Sequence, residues 1–257
     1  MIRLSSSLLL AGLFSLAGWS HVALADEGPT GQVGVGVGYQ PYDPSGSRYE
    51  VTPLPYVDLD WGNVSLSGDD GLTWDAFKAN GFSIGPFANY VPGRNSNGSL
   101  RGLRDVPDMG VVGGFVEYAP ADFWRLFAEL GSAVGGGSGQ GGLLGRLGGE
   151  LGYPLGMGII GRSNFTAHYA DERQAQTFFG VSAQEAQDSG IRQYHAGGGF
   201  QNLTLTQSFA IPLGGNWSLM TSASWIHLVG SAADSSIVKQ KGDSDQGQIQ
   251  TAISYKF

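Results

Sequence analysis

The 257-residue sequence contains no cysteine and few charged residues. The missing cysteine excludes a disulfide scaffold, a cysteine-ligated zinc or iron–sulfur site and a thiol nucleophile. Charged residues make up 14% of the chain, against about 25% in an ordinary soluble domain. With 14 basic against 22 acidic residues, the chain is acidic, which argues against a nucleic-acid partner. After residue 25 no apolar run approaches the length of about 20 residues that a transmembrane helix needs.

The first 25 residues have the pattern of a secretory signal peptide. Arg3 provides a positive charge, Leu8–Gly18 is a short apolar run, and Ala23-Leu24-Ala25 is a small-x-small cleavage pattern. This pattern predicts export through the Sec pathway and cleavage between Ala25 and Asp26. Residues 26–257 are then the mature chain and are expected to form one domain.

The mature chain shows hydrophobic alternation with a period of two residues, which is typical of β-strands. In the last segment Ile249, Ile253 and Tyr255 lie on one face, and Gln248 and Gln250 lie on the other. A β-sandwich and a transmembrane barrel both alternate in this way. Segments of about 9–13 residues, aromatic residues at their ends, and connections that alternate between short and long favour the barrel.

The order of short and long connections predicts an all-β, antiparallel, up-and-down barrel of 12 strands. Short connections are expected at the periplasmic rim and long connections at the outer rim. The segments 64–67 and 72–78, on either side of Asp69-Asp70-Gly71, are the least regular. Merging them gives 11 strands, which cannot return both chain ends to the same rim, and ten strands remain an alternative.

The second face of the same segments is polar and is expected to line the lumen. A basic side chain facing lipid at the bilayer midplane costs about 2–4 kcal/mol, whereas a charge facing inward can pair or contact water. The two interpretations are an ion-pair lattice that braces the wall and a selective path for solutes. The lumen candidates are Glu50, Asp58, Asp60, Asp75, Glu117, Arg125, Glu129, Arg146, Glu150, Arg162, His168 and Lys256.

Patterns that carry catalysis or bind cofactors do not occur in the mature sequence. His168, His195 and His227 lack the His-x-Ser and adjacent Asp-His arrangements of barrel hydrolases. Metal-ligand spacings and the Gly-Lys-Ser/Thr phosphate loop are also missing. We therefore expect no enzymatic activity, cofactor or metal.

The longest predicted connection, residues 171–199, carries two adjacent aromatic residues, Phe178 and Phe179. Loops longer than about 15 residues are commonly functional or disordered. Because an exposed Phe pair promotes aggregation, a loop folded into the barrel mouth is favoured over a contact surface.

Several stretches, spread in order over most of the mature chain, together resemble the MipA/OmpV family of outer-membrane proteins. These stretches are Val35–Tyr39, Val51–Val57, Arg101–Asp105, Thr177–Ser182, Tyr194–Gly198 and Gly230–Val238. The resemblance implies an outer-membrane barrel without known catalysis. It also implies a scaffold between a lytic murein transglycosylase and a penicillin-binding protein, or an adhesin or small porin-like protein.

From these observations we expect a protein of the Gram-negative outer membrane that contacts lipid and serves as a scaffold for peptidoglycan-remodelling enzymes. One alternative is a narrow porin-like channel for small solutes, which the charged lumen would support. Another is a surface adhesin that uses the long outer loops.

Overall fold

A computed structural model describes residues 28–137 and 139–257. The predicted signal peptide (1–25) and its cleavage site between Ala25 and Asp26 lie outside the described residues. Within them the chain forms one antiparallel sheet that closes on itself.

Thirteen strands belong to this sheet, and strands that follow each other in the chain are hydrogen-bonded neighbours, except β4 and β5. The strands are β1 Thr30–Pro41, β2 Tyr49–Trp61, β3 Val64–Ser67, β4 Gly71–Trp74, β5 Phe77–Ala79, β6 Phe82–Val91, β7 Met109–Ala121, β8 Trp124–Gly135, β9 Leu143–Gly156, β10 Ile159–Ala170, β11 Gly199–Gly214, β12 Trp217–Leu228 and β13 Asp245–Lys256.

The sheet closes through two antiparallel contacts, β1 with β13 and β4 with β6. Because β4 pairs directly with β6, the wall has 12 strands, and β5 is an extra strand that, among the described residues, pairs with β6 alone. The prediction of a 12-strand antiparallel barrel is confirmed.

The segment predicted as one strand over 72–78 is instead divided, and that prediction was wrong. The chain bends at Asp75 and Ala76, and the pairing with β6 shifts by one residue between β4 and β5. Pro86 lies on β6 opposite this break and has no N–H to donate, so a continuous ladder cannot form there.

The two faces of the wall differ as the alternation requires. Large apolar side chains such as Val35, Leu205 and Ile249 are exposed on the outer surface. Glycine, serine, threonine and charged residues dominate the inner face of the same strands. The buried apolar clusters lie above this wall, around the long connections, rather than between layers of sheet.

Four short helices lie in the long connections at one rim. They are α1 Glu172–Phe179, α2 Ala183–Ser189, α3 Gly230–Ala233 and α4 Ser236–Lys241. Asp171 caps α1 by accepting from the Gln174 N–H, and Ser182 with Glu185 forms a capping box on α2. Among the described residues, none of these helices combines the length and apolarity needed to cross a membrane.

Candidate functional site: the charged lumen and its outer cap

The strand register places the predicted lumen residues of the strands on the inward face, but at different depths. Glu50 lies near the outer rim, whereas Asp60, Arg162 and Lys256 lie near the rim of short turns. Asp75 lies in the bend between β4 and β5. The group that ion pairs connect comprises Glu117, Arg125, Glu129, Arg146 and Glu150, with Asp58 and His168 at its margins.

Arg125 connects three strands and a turn through its guanidinium. Its Nη1 lies 2.9 Å from Asp70 Oδ2 and 3.0 Å from Glu117 Oε2. Its Nη2 lies 3.7 Å from Glu150 Oε2. The contacts with Asp70 and Glu117 are charge-assisted hydrogen bonds, which are stronger than neutral ones and fix the side chain in place.

Arg146 makes a second set of ion pairs beside the first. Its Nε lies 2.7 Å from Glu129 Oε2, and its Nη2 lies 2.5 Å from Asp70 Oδ1. The Phe127 ring lies between the two guanidiniums, with its centroid 5.0 Å from the Arg125 Cζ and 5.1 Å from the Arg146 Cζ. The guanidiniums and carboxylates thus form a braced network across one part of the lumen.

Asp70 is the residue of this network that sequence reasoning missed. The pattern of residues 69–71 predicts only a turn between weak segments. Because β3 and β4 have four residues each, their turn ends partway up the barrel, and Asp70 meets both arginines there. The available signal was the pair of acidic residues in a turn between two unusually short strands.

Phe87 and Phe127 were also missed, because both interrupt the polar side of the alternation. Their register with Gly113 and Gly148 places them on the lumen face, and both are buried. The Phe127 ring lies against Gly148 on the neighbouring strand, and the Phe87 ring reaches Gly131 on β8, so glycines leave room for both aromatic side chains inside the barrel.

The long connections form a compact cap over the rim opposite the short turns. Phe178 and Phe179 are only 5% and 6% exposed and pack in a cluster with buried apolar residues of three connections and two strand ends. The other members of that cluster are Val106, Met109, Ala175, Ala196, Leu228, Ala232 and Val238. The pair therefore lies inside a folded cap and is not presented as an outer contact surface.

Buried polar contacts hold the cap segments together. The buried Arg94 donates from Nη1 to the Phe178 carbonyl oxygen over 2.5 Å, and the Ser235 hydroxyl donates to the Phe179 carbonyl over 2.6 Å. Arg104 pairs with Glu185 at 2.9 Å, and its backbone N–H donates to the same carboxylate. These bonds join the β6–β7 connection to the helical connections.

The surroundings of Glu185 favour the ionised form of its carboxylate. Burial favours its protonated form, but hydrogen bonds from the backbone N–H groups of Arg104 and Ser182 and the nearby Arg104 charge outweigh burial. The pKa of Glu185 consequently lies below its ordinary value of 4.5. The ion pair is therefore fully formed at neutral pH.

The fold brings together one pair that the linear sequence keeps apart. His227 Nδ1 lies 2.9 Å from Asp245 Oδ1, and the Trp225 indole N–H donates to the same oxygen over 3.0 Å. The three residues face outward near the outer rim, where β12 pairs with β13. Across residues 28–137 and 139–257 no cluster of three or more His, Asp or Glu has metal-site geometry.

The rim of short turns presents apolar side chains. Met157 is 93% exposed in the β9–β10 turn and has a φ of 52°, which is unusual for a side chain of this size. Phe123 and Leu213 are exposed in or beside the neighbouring turns. Gly158 approaches Pro212, and the Gly152 N–H donates to the Phe123 carbonyl, so these turns are contiguous.

The model of the family described as "MltA-interacting protein MipA" matches residues 33–257. The chain belongs to the MipA family. No curated protein matches the sequence significantly.

Solved outer-membrane proteins are only loosely similar to this MipA family member. The OprD protein of Pseudomonas aeruginosa is 12% identical, with a TM-score of 0.38, and the match covers 88% of this chain and 65% of OprD. OprG of the same organism is 14% identical, with a TM-score of 0.28, over 90% of this chain and 96% of OprG. The N-terminal barrel of OprF, also from Pseudomonas aeruginosa, is 8% identical with a TM-score of 0.26, over 90% and 100%.

Proposed function

We propose that this chain is a closed outer-membrane barrel that docks a murein lytic transglycosylase at its inner rim and holds it near a penicillin-binding protein. In this role the chain itself catalyses no reaction. The observation that carries the proposal is the match to a family whose description names an interaction with MltA, over residues 33–257. The short-turn rim is assigned to the periplasm, where such an enzyme works, because barrels keep their short turns on that side.

The exposed apolar side chains of this rim support the proposal. Phe123, Met157 and Leu213 are exposed on contiguous turns. A central apolar anchor with a polar surround is the usual arrangement of a binding hot spot. The turns are short, so the contact is expected to be smaller than the roughly 800 Å² per partner of a standard interface, and hence reversible.

A binding measurement with the purified chain in nanodiscs tests the docking role. The probe is the purified transglycosylase, titrated against the wild-type chain and against Met157→Asp. We expect measurable binding to the wild type and at least tenfold weaker binding to the variant, because a charge replaces an apolar anchor. Gln184→Asp, on the exposed surface of the cap, is the matched control and should bind normally. Failure of the wild type to bind would refute the docking role.

A narrow channel is the second candidate, supported by the charged inner face. The ion pairs of Arg125 and Arg146 and the packed cap both oppose free passage of solutes. Planar-bilayer recording distinguishes the two functions. We expect no conductance from the wild type and measurable conductance after Phe178→Asp disrupts the cap. Steady wild-type conductance would favour the channel.

An adhesin is supported least, because the long connections bury their apolar residues in the cap instead of exposing them. Unchanged host-cell binding after replacement of the exposed face of α2 would exclude it.

A further inference from the structure

The barrel wall has a gap in its outer half, between β2 and β6. The β3–β4 hairpin pairs with β2 only over residues 58–61, and it pairs with β6 only at Phe87 and Ala88. Within residues 28–137 and 139–257, residues 51–56 of β2 consequently have no strand partner on the side away from β1. At the hairpin tip the two flanking strands stand three strand spacings apart, or about 14 Å.

The gap has defined borders, and we call it the lateral window. Below it, the hairpin tip is fixed by the ion pairs of Asp70 and by a hydrogen bond of 3.3 Å from Asn89 Nδ2 to the Asp69 carbonyl. Above it, the β6–β7 connection passes over, with Gly98 beside the Arg48 side chain. The window is therefore framed by structure on all sides.

The edges of the window are poor partners for another strand. The Val57 carbonyl accepts from Gly68 N–H at 3.2 Å, so the odd-numbered residues of β2 point their backbone groups toward the window. Pro53 and Pro55 are two of these residues and have no N–H. On the opposite edge, the Tyr90 N–H donates to the Asn89 side-chain oxygen at 2.7 Å. Proline on an edge strand discourages strand addition.

The surroundings of the window are apolar toward the membrane. Val51 borders it on β2, and Val35 lies one strand away on β1; they are 70% and 76% exposed, which is more than any other large apolar strand residue that the structure describes. Toward the lumen, Leu54 and Tyr56 of β2 and Phe87 of β6 point inward beside the gap. An acyl chain could pass between these side chains without leaving an apolar environment.

The backbone carbonyls along the β2 edge need polar partners. Those of Val51, Pro53 and Pro55 point into the window, where no described strand pairs with them. Unpaired backbone at membrane depth is tolerated where it lines a water-filled cavity. The lumen must therefore supply water or a polar group at this edge, so that the window joins an apolar outside to a polar inside.

We propose that the lateral window binds a single-chain amphiphile from the outer leaflet. Its hydrocarbon tail lies between the β2 and β6 edges, and its polar head lies in the lumen. The missing backbone donors of Pro53 and Pro55 disfavour a peptide strand as the natural occupant, and the nearby exposed valines favour hydrocarbon. This site is independent of the docking role proposed for the inner rim.

The absence of cysteine makes a clean labelling experiment possible. Leu54→Cys, labelled with bimane and reconstituted in nanodiscs, is titrated with stearic acid carrying a nitroxide in mid-chain. We expect a saturable loss of at least half the fluorescence, reversed by excess unlabelled stearic acid. Ser222→Cys, facing the lumen from β12 where the wall is paired on both sides, is the control and should lose less than a fifth as much.

A second pair of variants distinguishes ligand binding from a local packing defect caused by the substitution at position 54. Thr52→Cys, labelled in the same way, should be quenched, and adding Leu54→Trp should abolish that quenching by filling the window. Heat-modifiable gel mobility verifies that every variant is folded. Equal quenching at positions 54 and 222, quenching that does not saturate, or no quenching at 54 would each overturn the proposal. A dimer cross-linked through Cys at position 54 would assign the window to a second copy and would also overturn it.

Discussion

The wall and the cap of this molecule place apolar residues according to opposite rules. In the wall, large apolar side chains such as Leu205 and Ile249 are exposed, and the arginines and carboxylates lie inside. In the cap, Phe178 and Phe179 are buried, and charged residues such as Lys239 are exposed. The cap follows the pattern of a small water-soluble protein, and the wall inverts it.

This difference shows that the solvent around each region, not the residue type, decides which side chains are buried. Hydrocarbon surrounds the wall, so an apolar side chain gains nothing by turning inward, and a charge must turn away from lipid. Water surrounds the cap, so its apolar side chains are driven together. Mutations of the same chemical kind should therefore have different consequences in the two regions.

The largest effect is expected from truncating the cap core. Phe178→Ala removes a buried ring and should destabilise the cap by about 3–5 kcal/mol. Limited proteolysis of the barrel in detergent should show rapid cleavage within 171–198, with the wall intact. Phe165→Ala, on the lipid face, is the matched control and should leave the cap protected. Equal resistance of the Phe178 variant would mean that the cluster does not hold the cap.

The outward placement of apolar side chains in the wall is tested by introducing an arginine at either of two adjacent residues of β11. Leu205 faces outward and Thr206 faces the lumen. Leu205→Arg should cost about 2–4 kcal/mol of folding free energy in lipid vesicles, and Thr206→Arg less than half as much. Equal costs at the two positions would show that the apolar face does not contact hydrocarbon.

The ion pairs of the lumen should contribute less to the free energy of unfolding than the cap core does, but more than a charged side chain at the rim. Arg146→Met leaves Asp70 and Glu129 without one partner each and should cost about 2 kcal/mol. Urea unfolding in detergent measures the loss. Lys256→Met, exposed near the inner rim, is the control and should change stability by less than about 0.5 kcal/mol. Similar values for the two variants would argue that lumen water replaces the ion pairs at no cost.

The smallest effect should be the response of the cap to pH. The Glu185 pKa is lower in the folded cap than in the unfolded chain, so its stabilisation is complete above the ordinary value of 4.5 and is lost as pH falls through the lowered pKa. Hydrogen exchange of the 171–198 segment should accelerate a few-fold more than its intrinsic rate between pH 5 and about pH 3. Glu185→Gln should remove this excess, and a wild-type rate without such an excess would contradict the assignment.

The sequence predicted most of the wall because alternation is a local property. The β1 and β13 segments and the positions of the short and long connections follow from residues close together in the chain. The prediction was wrong at 72–78 because the break there depends on Pro86 of the facing strand. The lateral window was not predicted either, since it arises from a hairpin that is too short to reach the outer rim.

By itself the sequence determined that the chain is a barrel and which face of each strand is apolar, because a two-residue period fixes the side of every residue on a strand. Only the tertiary structure decided which charges meet. Asp70 is 55 residues from Arg125 and 76 from Arg146, and closure of the sheet brings all three together. The same holds for the cap, where Arg94 contacts the Phe178 carbonyl across 84 residues. Such pairings depend on the register and curvature of the whole barrel, which no local pattern encodes.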